Sequence, residues 1–392
     1  MEFKFAERIN KLPPYLFAEI ERITSEKRKQ GKRLISLSIG DPDLPTPQFI
    51  IDAIKRAADD SANHKYSFSQ GETVFREAVA NWYKVRFGAD VNPEKEAIAL
   101  IGAKEGLANF ARAFVNSGDG VIVPDPGYPV YANGATLLNE GIPVALPLLA
   151  DKGFKPDFDA IGAKDLKKSK LLFLNYPNNP TGAVADKKLL KQAVEFASEN
   201  GLILCYDNSY SEITFDGYRA PSILEIDGAK DVAIEFHSCS KTFNMTGDRI
   251  GFAAGNPKLM EGLRKIKSQI DSGPPIYIQK AAAEALMSYK KGGQPDYIRE
   301  MNKTYVERRD ALVGGLNKMG FNCRKPKGTF YVWVDVGCDS MQFVSKLIDA
   351  GVVATPGIGF GEQGRNFVRF AITQPKEKIR EACELMSGII VG

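Results

Sequence analysis

Two patterns alternate along this 392-residue chain, and their alternation restricts its possible folds more than any other property. Short apolar runs rich in β-branched residues recur: LISLSI (34–39), AIALI (97–101), GVIVP (120–124), LLFLN (171–175), LILCYD (202–207), VAIEF (232–236) and IGFAAG (250–255). Between many of them lie segments of helical period, such as EGLANFARAFV (105–115) and KKLLKQAVEFASEN (187–200). Strand and helix in alternation predict an α/β fold, a mainly parallel central sheet flanked by helices and joined by right-handed crossovers. From about residue 295 the texture changes. PDYIREMNKTYVERRDALVGGLNKMG reads as one long amphipathic helix, followed by short strands YVWVDV (331–336), VVATPG (352–357) and FVRFAI (367–372) and a closing helix. That order predicts a smaller α+β domain. Leu12, Leu16, Ile20 and Ile23 fall at helical spacing on a segment too short to be stable alone, so it is expected to pack on that domain. The expected division is therefore residues 41–294 for the large domain and 1–40 with 295–392 for the small one.

The segments immediately after the runs are as regular as the runs themselves. GAKEG comes after AIALI, PDPGYP after GVIV, NYPNNPTG after LLFL, DNSY after LILCY and HSCSK after VAIEF. Taken singly, each piece has the Gly, Pro, Asn and Asp that any turn favours for backbone reasons. Together they gather at the carboxyl ends of parallel strands, which converge on one rim where α/β sheets bind ligands. One composite site is expected there.

Composition limits what that site does. The 52 basic and 48 acidic residues are interspersed, leaving a formal charge of +4 and no basic arm or patch for nucleic acid or membrane. Five scattered cysteines without a CxxC pair indicate neither a disulfide framework nor a zinc site, and a reducing cytoplasm fits them best. The opening MEFKFAERINKLPPYLF lacks the apolar core of an export signal, and no run approaches the length of a membrane span. With only His64 and His237, a histidine-rich metal site is excluded and a serine–histidine–acid hydrolase disfavoured, so no metal is expected.

The chemistry must come from other groups at the rim. Lys241 follows Ser238 and Ser240 and precedes Arg249 by eight positions, placing an amine beside two hydroxyls and a fixed cation suited to a phosphate dianion. The GAKEG turn opens a helix, adding backbone N–H groups and a positive dipole end. Asp207 ends a strand so apolar that its carboxylate is expected to be partly buried and in need of a cationic or hydrogen-bonding partner. Tyr210 follows three residues on. A lysine, a buried acid, a phenol and a phosphate cradle match the aldehyde, ring nitrogen, phenolic oxygen and phosphate of pyridoxal 5′-phosphate.

With those residues in place the chain resembles the fold-type I, class I/II pyridoxal-phosphate aminotransferases, over essentially its whole length. SIGDPDLPTP, YSFSQG, GAKEG, PDPGYPVY, NYPNNPTG, DNSY, SCSKTFNMTGDRIGF and FVRFAI stand in that family's order and spacing. The resemblance implies an aspartate-aminotransferase-like large domain that binds the cofactor, and ping-pong transamination through a Schiff base on Lys241. Lys241 would then move the proton between Cα and C4′, and Asp207 would keep the ring nitrogen protonated. Tyr210 and Asn179 would hydrogen-bond the phenolic oxygen. Ser238, Ser240, Arg249 and the backbone at Ala103 and Lys104 would hold the phosphate, with Tyr66 reaching it from the neighbouring subunit of a homodimer. Tyr128 would stack on the ring, and Arg369 would grip the substrate α-carboxylate with help from the Gly40 amide.

Within the family, LPPYLFAEIE, LIGAKEGLANFARAFVNSGDGVIVPDPGYPVY, SYSEITFDGYRAPSILEIDGAKDVAIEFHSCSKTFNMTG and KSQIDSG resemble most the LL-diaminopimelate aminotransferases. That implies conversion of tetrahydrodipicolinate and glutamate to LL-diaminopimelate and 2-oxoglutarate in lysine biosynthesis. It also implies substrate contacts from Tyr15 and Lys104 beside Tyr128, Asn179, Gly40 and Arg369. Relatives acting on aspartate, alanine or aromatic amino acids are the nearest alternative, and a cofactor-binding lyase, synthase or regulator a more distant one. Two positions depart from the family's usual GSKEG and TGWRIGF. Ala103 removes a hydroxyl from the cradle but keeps its N–H, and Asp248 either competes with the phosphate or faces solvent.

Overall fold

The computed structural model describes residues 3–13, 16–290 and 293–390. Its strands, in chain order, are β1 Ile35–Ser36, β2 Ala97–Leu100, β3 Gly120–Asp125, β4 Ile142–Pro147, β5 Ser169–Asn175, β6 Ile203–Asp207, β7 Ala233–Ser238, β8 Gly251–Gly255, β9 Tyr331–Asp335, β10 Val352–Val353, β11 Thr355–Pro356 and β12 Phe367–Ala371. Strands β2 to β8 form one sheet in the order β2-β8-β7-β6-β5-β3-β4. Neighbours from β4 through β7 are parallel, and β8 runs antiparallel to both β7 and β2. The sheet is thus mainly parallel, as expected, with one reversed strand. Because β8 enters from the rim at which β7 ends, Arg249 just ahead of it belongs to the same rim.

The apolar runs are continuous because both faces of the sheet are covered. Along β5, Leu172 and Leu174 join one core cluster while Leu171 and Phe173 join the other, and Ile122 and Val121 of β3 divide the same way. Strand β4 escaped the sequence reading: it is a half-exposed edge strand carrying Pro143 and Pro147, which tolerate an edge but not a centre.

Among the helices used below, α1 spans Leu16–Lys29, α2 Ala103–Phe110, α3 Lys187–Glu199, α4 Cys239–Thr242, α5 Asp296–Lys318 and α6 Lys376–Ile390. Helix α3 is the element most directly legible in the residues. Asp186 caps it by accepting the Leu189 N–H at 2.8 Å, and Leu189, Leu190, Ala193, Val194 and Ala197 fall on one buried face. Helix α1 begins at Leu16, so Leu12, which lies ahead of Pro13, is outside it.

The C-terminal strands form a three-stranded antiparallel sheet, β11-β12-β9. Two expected strands came out differently. Only Ile35–Ser36 of LISLSI is strand, and VVATPG splits so that β10 pairs with β1 while β11 pairs with β12. The Leu37 N–H donates to the Val353 carbonyl at 2.7 Å, and the Ala371 N–H donates to the Leu37 carbonyl at 2.6 Å. Lys27 of α1 pairs with Asp349 at 2.8 Å. The chain before residue 40 is therefore held by residues beyond 348.

Candidate active site

At the rim a cavity of about 630 Å³ opens between the large sheet, the C-terminal sheet and α1. Asp207, the last residue of β6, lies on its floor and is buried. Its carboxylate accepts the Tyr131 hydroxyl at 2.7 Å, the Ser209 hydroxyl at 2.6 Å and the Ser209 N–H at 3.1 Å. Burial pushes the proton affinity of this carboxyl up, while the Ser209 and Tyr131 bonds and the nearby His237 push it down. Tyr131 is held by stacking on Phe173, with ring centroids 5.0 Å apart. Asn175, at the end of β5, fixes the turn above: its Nδ2 donates to the Asp207 carbonyl at 2.8 Å, and its Oδ1 accepts the Asn179 N–H at 2.7 Å.

Lys241 projects from α4, the single turn after β7, and its Nζ donates to the Gly40 carbonyl at 3.0 Å. Burial lowers its proton affinity to about 8. Arg249 and Arg369 act in the same direction, and Asp41 opposes them. An amine in that state is a nucleophile and a base near neutral pH.

Beside Lys241 the wall turns cationic and rich in donors. Ser238, Ser240, Ala103, Lys104 and Arg249 line it together. Helix α2 starts at Ala103 after Gly102, whose φ of 78° belongs to the left-handed region. A Cβ on Gly102 would sit 2.5 Å from the Arg249 Nη2, so glycine is what lets the guanidinium lie against the helix start. Arg249 itself has φ 53° and donates through Nη1 to the Thr246 carbonyl at 2.8 Å. First-turn N–H groups, two hydroxyls and a guanidinium make this an anion cup.

The opposite wall holds Arg369 on β12, 3% exposed. It donates through Nη1 to the Asn179 Oδ1 at 2.8 Å and through Nη2 to the Ser38 carbonyl at 2.9 Å, with its guanidinium carbon 4.1 Å from the Tyr331 ring centroid. The hydroxyls of Tyr331 and Tyr210 are 3.2 Å apart. Tyr128, edge-on to Tyr131 at 5.7 Å, closes the side.

Lys241, Asp207, Tyr210, Asn179, Tyr128, Gly40 and Arg369 thus share one cavity with the anion cup, as the sequence led us to expect. Tyr66 does not line it; this residue is 92% exposed on the surface. Tyr15 lies outside the described residues. Asp248 makes no ion pair with Arg249 and is absent from the lining, while burial raises its carboxyl proton affinity. Sequence reasoning missed Tyr131, although PDPGYPVY contains it, and also Tyr331 and the face of α1 formed by Ile20, Glu21, Thr24 and Arg28, which lines the cavity. Helical spacing marks residues that pack, and says nothing of which polar neighbours overlook a site.

The profile described as aminotransferase class I and II matches residues 32–386. LL-diaminopimelate aminotransferase of Desulforudis audaxviator is 48% identical, covering 100% of this chain and 99% of that protein. The LL-diaminopimelate aminotransferase of Aquifex aeolicus is 46% identical, covering 99% of each. Among solved structures, substrate-bound BacF from Bacillus subtilis superposes with a TM-score of 0.93 at 35% identity, over 99% of this chain and 98% of that one. Aspartate aminotransferase of Thermus thermophilus with maleate superposes at 0.90 with 29% identity, over 99% and 100%.

Proposed function

The chain belongs to the class I and II aminotransferases, and from that premise we propose that it is a pyridoxal-phosphate-dependent LL-diaminopimelate aminotransferase. The observation that carries the reading is the joint placement in one cavity of the desolvated Lys241 amine, the buried Asp207 carboxylate, the anion cup and Arg369. The donor set fits the cofactor. A buried carboxylate with raised proton affinity favours a cationic N–H partner, and the cup beneath Gly102 admits a phosphate where a Cβ would crowd Arg249.

Bound pyridoxal phosphate would supply an electron sink for the charge that develops at the substrate Cα. Lys241 would hold the cofactor's aldehyde carbon, and its Nζ would carry the proton to and from the substrate Cα. Asp207, fixed by Tyr131 and Ser209, would keep a proton on the ring nitrogen. Ser238, Ser240, Arg249 and the first N–H groups of α2 would hold the phosphate. Asn179 and Tyr210 would orient the phenolic oxygen, and Tyr128 would cover the ring. Arg369, with the Gly40 amide, would hold the substrate α-carboxylate, while Lys104 would meet the rest of the substrate.

We read the working molecule as a cytoplasmic homodimer, with a large domain of residues 41–294 and a small one of 1–40 with 295–392. The pairing of β1 with β10 supports the split. Exposed Tyr66 (92%), Phe68 (71%) and Ile39 (64%) support a second copy, because Ile39 lines the cavity and such aromatics are poorly placed in water. The test is the half-reaction. Purified holoenzyme mixed with LL-diaminopimelate alone should lose its aldehyde-form absorbance and regain it on adding 2-oxoglutarate. A response to aspartate or phenylalanine with none to LL-diaminopimelate would overturn the substrate.

A further inference from the structure

Helix α1 presents Ile20, Thr24 and Arg28 at i, i+4 and i+8, with Glu21 beside Ile20, and these four line the cavity mouth. The pairing of charge along the helix is uneven. Arg22 and Glu26 pair with each other at 2.6 Å and Lys27 pairs with Asp349, whereas Glu21 and Arg28 make no ion pair or hydrogen bond among the described residues. Two long side chains of opposite sign therefore stand two helical turns apart, about 10 Å along the axis, over a cavity whose far wall carries Arg369. Asp41 and Lys104 also reach the cavity, and Asp41 is close enough to Lys241 to raise that amine's proton affinity.

A substrate with a carboxylate and nothing charged beyond it has no use for an anion at the mouth. A substrate with an amino-acid group at each end has use for both charges. Resting on the reading that LL-diaminopimelate is turned over here, we propose that Glu21 and Arg28 form the subsite for its distal head group. Arg28 binds the distal carboxylate and Glu21 the distal ammonium, while the proximal carboxylate goes to Arg369. The helix is then a selector: it favours a doubly zwitterionic chain and, through Glu21, disfavours a dicarboxylate of the same length. Tyr210, Asn179 and Lys241 handle the reacting end in every case, so selection and chemistry reside on separate elements.

The test uses holoenzyme and two substrates of equal length, LL-diaminopimelate and L-2-aminopimelate, which differ only in the distal ammonium. E21Q should lower the ratio of kcat/KM for LL-diaminopimelate to that for L-2-aminopimelate by about 10- to 100-fold, the loss expected for one charge-assisted contact. R28Q should lower kcat/KM for both substrates by a similar factor. Calorimetric titration with pimelate, which carries no amine and cannot react, should show R28Q weakening binding at least about fivefold, independently of turnover. An unchanged ratio in E21Q, or R28Q sparing both substrates and pimelate, would overturn the subsite while leaving the function intact. Wild-type enzyme that ignores LL-diaminopimelate would overturn the function, and the subsite with it.

Discussion

Burial of the Lys241 amine, 3.0 Å from the Gly40 carbonyl, holds its proton affinity at about 8 instead of the ordinary 10.5. Between about pH 8 and 10.5 the unfolded chain keeps a proton that the folded chain has released, so this group makes the cofactor-free protein more stable as pH rises through that window. The amine is also half neutral near pH 8. Labelling of the cofactor-free protein with fluorodinitrobenzene, read peptide by peptide by mass spectrometry, should show Lys241 half-maximal near pH 8 and exposed lysines only above about pH 10. Half-maximal labelling of Lys241 together with the surface lysines would refute the burial argument. The reactive groups were legible one by one because each stands in a short motif, as Lys241 does in SCSK and Asp207 in DNSY. Tyr131 and Tyr331 were not, because a buried phenol looks like any core aromatic until its hydroxyl partner is known.

The start of α2 shows what an element contributes that its residues do not. Gly102 takes a left-handed φ of 78°, which lets the helix open at Ala103 with its N–H groups turned to the cup, and its missing Cβ leaves room for Arg249. Gly102→Ala adds backbone strain of about 1–2 kcal/mol and displaces the guanidinium. The expected outcome is a fall in urea-unfolding stability of that size and a roughly tenfold weaker pyridoxal phosphate titration of the cofactor-free protein. Wild-type affinity in G102A would show that Arg249 has no part in holding the phosphate. The helix itself was readable from EGLANFARAFV, but its first turn was expected at Glu105 and begins two residues earlier. A helix start depends on a cap conformation that periodicity does not report. Strand β4 went unread for the related reason that an edge strand needs only one paired side and tolerates prolines.

Across the molecule, Ile39 is exposed on the cavity wall, and Tyr66 and Phe68, which do not line the cavity, are exposed on the surface as well. Two copies are expected in sedimentation, at twice the chain mass of 43.0 kDa. If Tyr66 serves the opposite site, Y66A and K241A each impair activity, and unfolding and refolding them together should restore about a quarter of the wild-type sites, since half the dimers are mixed and each has one intact site. No recovery on mixing would place Tyr66 outside the partner's site. The sheet, the order of the rim loops and most of the named side chains that gather in the cavity could be read from the residues without coordinates. Apolar runs of strand length and helical periodicity are local quantities, and parallel topology then gathers the strand ends without further choice. Only three-dimensional packing makes VVATPG serve two sheets, sets Arg369 between Asn179 and Ser38, and turns Glu21 and Arg28 over the cavity. Apart from β11 with β12, these pairings join residues more than a hundred positions apart or depend on the rotation of a helix about its axis. No local pattern encodes either.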